Sequence, residues 1–287
     1  MPNLASLQGE STRFILHPTD FSHTSDVAFA HALRLAVHDR AAFSLLHVLG
    51  SKQDQPPWDE YPEIRETLER WGFLAPGAQR SDVADKLGMR VQKVLGIDKN
   101  VTDYITKYVR EHAVDMVVLA TGEHDILPHW FRPSIAESVA MKGKVPTLFI
   151  PFGARGCVSL KDGSVRLENI LIPVDRKPCA DLAIERAVDA LAAFGSDQSK
   201  LTLLHVGDEP HFPWPRWPAD FRWQHVQTIR QGRVVDEILR SAEELTADLI
   251  VLVTAGAHGI LDALRGSTTQ QIVRHAPCPV LAIPYDF

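Results

Sequence analysis

Gly256, Gly259 and Gly266, with Ser267 and Thr268 directly after the last of them, lie in the stretch TAGAHGILDALRGSTTQ (254–270). Glycines so spaced let the backbone approach a ligand closely or take positive φ. A helix starting at Ser267 and Thr268 would point free N–H groups and two hydroxyls at the same place, which is the chemistry of a phosphate seat. No carboxylate follows Asp262 in this stretch. The same residues also allow a local reading. STTQ (267–270) and SIAE (134–137) are both capping boxes, in which the serine satisfies its own helix.

Such a loop needs a buried strand before it and a helix after it. LIVLVT and MVVLAT are continuously apolar, as parallel strands covered on both faces are. Helical spacing recurs at Ile184, Ala187, Val188 and Leu191, at Val235, Ile238, Leu239 and Ala242, and at Val101, Ile105, Tyr108, Val109 and His112. Strands alternating with helices predict an α/β fold with a parallel sheet. Open sheets of this kind bind ligands outside the carboxyl ends of their strands. That places PVDRK (173–177) beside the glycine loop.

The chain also repeats itself. RFILHPTD (13–20) matches NILIPVD (169–175), so that Pro18 and Asp20 recur as Pro173 and Asp175. SLLHV (44–48) recurs as TLLHV (202–206), DMVVLATGEH (115–124) as DLIVLVTAGAH (248–258), and KVPTLFIP (144–151) as PCPVLAIP (277–284). Four matches in one order predict a duplication, with copies over residues 1–153 and 165–287, each long enough to bury a core. FGARGCVSLKDGSVR (152–166) reads as the linker. Two segments interrupt the rhythm after the second strand of each copy. They are 51–88 and the proline- and tryptophan-rich 207–223, which reads either as a lid or interface or as an irregular loop packing its own aromatics.

Bulk composition narrows the partners. With 287 residues, 45% hydrophobic and 23% charged, the chain is of ordinary globular type and large enough for two domains. A net charge of -6 gives no footprint for nucleic acid or an anionic membrane. Cys157, Cys179 and Cys278 form no CxxC pair, which argues against a disulfide scaffold or structural zinc and fits the cytoplasm. No stretch approaches the apolar length of a membrane helix, and MPNLASLQGESTRF lacks the pattern of a signal peptide.

Taken together, ILIPVD, the LLHV strand, ADLIVL, the glycine loop with its histidine, and GSTTQQIVRHAPCPVLAIP resemble a universal stress protein domain. The first copy makes the chain similar to a tandem universal stress protein. The resemblance covers nearly the whole chain and implies two tandem open five-stranded parallel sheets, order 3-2-1-4-5, with helices on both faces. In the nucleotide-binding branch it implies ATP, with Mg, held by a G-x2-G-x9-G-[S/T] loop. Carried onto this sequence, Asp175 would face the adenine or ribose end, Val174 and Val206 would bound the base, and Gly256, Gly259, Gly266 and Ser267 would wrap the phosphates, with Pro173 and Thr268 also counted among the binding residues. His258 lies inside the loop, where it either touches phosphate or packs.

Two departures stand out. Only six residues, Ile260 to Arg265, separate Gly259 from Gly266, where the pattern has nine; the Arg265 guanidinium could reach a phosphate and compensate. In the first copy, TGEHDILPHWFRPS keeps Gly122 but places Asp125 and Pro133 where the other glycines belong. A carboxylate there repels phosphate and a proline removes a backbone donor, so this copy is not expected to bind ATP in the family manner.

Other chemistries fare less well. His17, His47 and His124 fall near strand ends close to Asp20 and could in principle hold zinc, yet His205 repeats His47 while Ile172 replaces His17. Hydrogen-bonded core histidines are therefore expected, and no metal. GxSxG, HExxH and GxxxxGK[ST] are absent and Ser267 has no evident base, so no enzyme is expected. Two readings remain: a stress-response protein whose second copy binds ATP or a related adenine nucleotide and acts on an unknown protein partner, or an interaction scaffold that binds none. VPTLFIP and CPVLAIP could pair within the chain as an intramolecular pseudo-dimer, and a homodimer of the whole chain is left open.

Overall fold

The computed structural model describes residues 13–51, 58–121, 145–176, 180–195, 198–219, 221–255 and 268–285. The first half runs β1 (Phe14–Pro18), α1 (His23–Asp39), β2 (Ala42–Leu49), α2 (Ile64–Arg70), α3 (Asp82–Leu87), β3 (Arg90–Ile97), α4 (Val101–Glu111), β4 (Met116–Ala120) and β5 (Thr147–Ile150). The second runs β6 (Asn169–Pro173), α5 (Ala180–Phe194), β7 (Lys200–Val206), β8 (Gln224–Arg230), α6 (Val234–Glu244), β9 (Leu249–Ala255), α7 (Thr268–His275) and β10 (Val280–Tyr285).

Alternation along the strands produces two cores. Ile15, Phe43, Leu45, Val118 and Leu148 face α1 on one side of the sheet, while Leu16, Leu46, Val117, Leu119 and Phe149 pack with Ile105 of α4 on the other. Two of the helices begin where a side chain satisfies their free N–H groups. Ser22 Oγ accepts from Ser25 N at 3.2 Å to start α1, and Asn100 Oδ1 accepts from Asp103 N at 3.2 Å to start α4.

Each half has the expected order 3-2-1-4-5, but the two five-stranded sheets are not independent: VPTLFIP and CPVLAIP pair within the chain, as the sequence allowed, and join them. One ten-stranded sheet runs β3-β2-β1-β4-β5-β10-β9-β6-β7-β8. At its centre β5 and β10 pair antiparallel, Phe149 opposite Val280, Leu148 opposite Leu281 and Thr147 opposite Ala282, while the other pairs are parallel. The physical reason is that both strands are short, apolar edges whose open ladders would otherwise go unpaired. Pro146 and Pro279 stand just before them, where a missing N–H costs no ladder bond.

The segment between the halves does more than connect. His31 of α1 is fully buried; its Nδ1 donates to Val27 O at 2.7 Å, so its bare Nε2 accepts from Cys157 N at 2.9 Å and Val158 N at 3.3 Å. On the other side, buried Asp248 accepts from Arg155 Nη2 at 3.1 Å, Glu168 N at 2.9 Å and Asn169 N at 3.0 Å. Asp115 does a smaller version of this job in the first half, accepting from Phe14 N at 2.7 Å. Among the described residues, no helix is long and apolar enough to cross a membrane.

Candidate functional site

The place to compare is the carboxyl end of the sheet, where β1 and β2, and again β6 and β7, deliver equivalent residues. In both halves the histidine of the LLHV strand bonds the carbonyl just before the aspartate. His47 Nδ1 meets Thr19 O at 2.8 Å, and His205 Nδ1 meets Val174 O at 3.2 Å. A carbonyl can only accept, so each Nδ1 carries the proton. These are hydrogen-bonded core histidines, and His17 joins them, with Nδ1 on Val118 O at 2.9 Å. Burial drives the His17 pKa from 6.5 down to about 4, and its Nε2 has no hydrogen-bond partner. His124 lies outside the described residues, as do Gly122, Asp125 and Pro133.

Beyond these histidines the halves diverge. In the first, Phe21 follows Asp20 at φ +63° and stacks on His47 with ring centroids 4.5 Å apart. Tyr61 meets Phe21 edge-on at 5.2 Å, Trp58 stacks on Tyr61 at 5.5 Å, and the Tyr61 hydroxyl donates to Val94 O at 2.7 Å. Burial raises the Tyr61 pKa to about 12, so it stays a neutral donor. Asp20 itself is turned inward: Oδ1 accepts from Ser22 N at 3.0 Å and Ser22 Oγ at 2.7 Å, and Oδ2 is buried without a partner. This end is filled by its own aromatics.

In the second half, Pro173 is half-buried, Val174 buried, Val206 half-buried and Asp175 exposed, and Asp175 Oδ1 accepts only from Arg176 N, at 2.7 Å, among the described residues. Arg176 Nη2 donates to Pro210 O at 3.0 Å, tying the strand exit to the 207–223 segment. Phe212 of that segment sits edge-on to His205 at 6.0 Å. Gly207 is required here, because a Cβ on it would come within 2.6 Å of His205 Nε2. The rest of the segment packs its aromatics together, Trp217 against Phe221 at 4.4 Å and His225 at 3.9 Å, the irregular arrangement that its composition allows. Thr254 Oγ1 donates to Ile283 O at 3.2 Å, and Thr268 opens α7 with an exposed side chain. Gly256, His258, Gly259, Arg265, Gly266 and Ser267 lie outside the described residues.

The described part of the predicted site therefore assembles Pro173, Val174, Asp175 and Val206 at adjacent strand ends. Phe212 adjoins this site, while Phe21, Tyr61 and Trp58 line the equivalent end of the first half; none of the four was anticipated. A phenylalanine directly after Asp20 was the one available signal, since its ring must land over the strand ends. Burial raises the thiols of Cys157 and Cys278, the latter to about 12, so neither is a ready nucleophile at neutral pH.

A parallel α/β sheet of order 3-2-1-4-5, with an aspartate and a valine at the exits of its central strands, defines the class. The sequence model of the universal stress protein family matches residues 12–151 and 223–284, so this chain belongs to that family. A universal stress protein of Methanocaldococcus jannaschii is 24% identical over 151 residues, 43% of this chain and 86% of that protein. A putative universal stress protein of Staphylococcus haemolyticus is 30% identical over 150 residues, 42% and 89% respectively. Each of these spans about one half of the present chain. The crystal structure of a universal stress protein from Archaeoglobus fulgidus matches 94% of this chain and 98% of its own, with TM-score 0.58 at 20% identity. A functionally unknown protein of Pseudomonas aeruginosa matches 96% and 93%, with TM-score 0.59 at 15% identity, and the two together extend the likeness of fold to the whole chain.

Proposed function

We propose that this chain is a cytoplasmic stress-response protein whose second half takes an adenine nucleotide, ATP with Mg or a close relative, and whose first half is its closed structural counterpart. The observation that carries this reading is the contrast between the equivalent aspartates. Asp20 is half-buried and bonded to Ser22, whereas Asp175 is exposed at the strand exit next to that of Val206. An exposed carboxylate at a strand exit can accept from ribose hydroxyls, and Val174 and Val206 offer an apolar wall to a base. Gly256, Gly259, Gly266, Ser267 and Thr268 would supply phosphate contacts, with Arg265 and His258 beside them. The role is binding rather than catalysis, with occupancy altering contact with a protein partner.

One observation favours the scaffold reading instead. Phe212 stands against His205 on the base side, narrowing the space a purine would need. Denaturing freshly purified protein and identifying released nucleotide by chromatography and mass spectrometry separates the two. About one adenine nucleotide per chain, with binding abolished by Gly266→Asp, supports the first. No released nucleotide and no heat on titration with Mg-ATP supports the second.

A further inference from the structure

The sheet has two outer edges, β3 and β8, and they are finished differently. On β3, Lys93 pairs with Glu63 at 3.7 Å and lies over the Tyr61 ring at 5.6 Å, while α3 packs alongside. A central lysine and a covering segment are the usual protections of an edge strand. On β8, Gln224–Arg230, no lysine, proline or acidic residue occurs, and Val226 and Ile229 are 37% and 38% exposed.

The direction of its free backbone follows from one bond. Gly207 N donates to Arg230 O at 2.8 Å, so Val226, Thr228 and Arg230 turn their polar groups toward β7. In a parallel pair such residues alternate, so the N–H and C=O groups of His225, Gln227 and Ile229 point outward, and β8 is the last strand of the sheet.

We propose that this edge joins two copies of the chain by antiparallel β8–β8 pairing about a twofold axis at Gln227. The strand is self-complementary in that register. Gln227 faces the partner's Gln227, His225 faces the partner's Ile229, Val226 faces the partner's Thr228, and Gln224 faces the partner's Arg230. Every outward-facing residue meets an outward-facing residue, giving about six backbone hydrogen bonds. The only charge on the strand, Arg230, is already paired with Glu244 and, at 3.8 Å, with Glu237. The two Arg230 side chains sit at opposite ends of the pairing, about 20 Å apart at strand rise, so no like charges meet. The same turn about β3 would bring its two Lys93 side chains close to the axis.

Apolar burial adds to the ladder. His225 packs at a tilt against Trp217 at 3.9 Å and edge-on to Phe221 at 5.4 Å, and the partner's Ile229 lands beside that group on the same face of the sheet. Ile229 returns the contact, as an isologous interface requires. The occupant is thus a second copy of this chain, and the joint repeats at the outer edge what β5 and β10 do at the centre.

Sedimentation velocity and light scattering of the full chain, from about 1 to about 100 µM, should show a concentration-dependent dimer. Gln227→Pro removes an outward N–H without touching the β7 ladder and should leave a folded monomer by circular dichroism. Ile229→Lys, which places a charge on an exposed position, should weaken dimerisation at least about tenfold. Should the proline variant not fold, the lysine variant alone decides. A wild-type chain that stays monomeric throughout the range overturns the proposal, and so does a dimer unchanged by Ile229→Lys.

Discussion

The first half follows β2 with a segment containing α2 and α3, and the second follows β7 with the helix-poor stretch 207–223; the two finish the same sheet to different effect. The longer segment brings Trp58 and Tyr61 over Phe21 and His47, buries the carboxyl end of the strands, and shields β3. The shorter one places only Phe212 over His205, leaves Asp175 in solvent and β8 uncovered. Across the two halves, then, the strands keep one pattern because both faces are buried, while the loops at the strand ends set how far each half covers its strand exits and its outer edge.

The largest expected break in that comparison is acid. His17 and His31 belong to the first half, and burial lowers both from 6.5 to about 4. A group lowered on folding binds more protons unfolded, so stability is whole above pH 6.5 and is lost as pH falls toward 4. The shifts correspond to about 3 kcal/mol for each histidine. Position 172, the counterpart of His17, is isoleucine. Urea unfolding at pH 7 and about 4.5 should therefore show the first half failing first, and His17→Leu should remove about half of the pH dependence. Equal acid loss in both halves would contradict the asymmetry.

Next come the paired aspartates that start the central strands. Asp248→Ala strands two backbone N–H groups and the Arg155 guanidinium, and should cost about 3 kcal/mol. Asp115→Ala releases only Phe14 N at an exposed position and should cost about 1 kcal/mol. Chemical denaturation of the two variants side by side measures the difference.

Asp175→Ala should weaken adenine nucleotide binding about tenfold, while Asp20→Ala leaves it unchanged; calorimetric titration with Mg-ATP reads both. A stronger effect at Asp20 would reverse the assignment of open and closed halves. The smallest effect belongs to Tyr61→Phe, which keeps the ring over Phe21 and loses only the bond to Val94 O, a cost of about 1 kcal/mol in denaturant unfolding.

Much of this was legible in the residues. Continuous apolar runs marked β4 and β9, because parallel strands buried on both faces are predominantly apolar, and the repeated matches marked β1, β2, β5 and their counterparts. Helical spacing at 101–112, 184–191 and 235–242 fell on α4, α5 and α6. The third strand of each half went unmarked. RVQKVLGI and QHVQTIR are edge strands with mixed polarity, and neither strict alternation nor an apolar run distinguishes them from loop. Helices α2 and α3, of seven and six residues, are too short for periodicity to register.

The candidate site divides the same way. Asp20 and Asp175 share the strand pattern that precedes them, and only Phe21 and Ser22, which follow Asp20, hint that one carboxylate is bonded inward while the other is exposed. That outcome depends on Tyr61, forty residues further along, reaching back across β2. The 152–166 segment read as a plain linker, whereas His31 and Asp248 clasp it from opposite halves.

By itself the sequence determined the α/β class, the matching strand patterns of the two halves and the strand-end positions of Asp20, Asp175, His47 and His205, because these follow from periodicity and local hydrogen bonding. Only the tertiary structure decided that the two half-sheets do pair through β5 and β10, that Asp20 is bonded inward while Asp175 is exposed, and that β8 is the outer edge without a covering helix among the described residues. Those outcomes rest on contacts between residues far apart in the chain, whose energies depend on which surfaces meet rather than on what any one segment prefers.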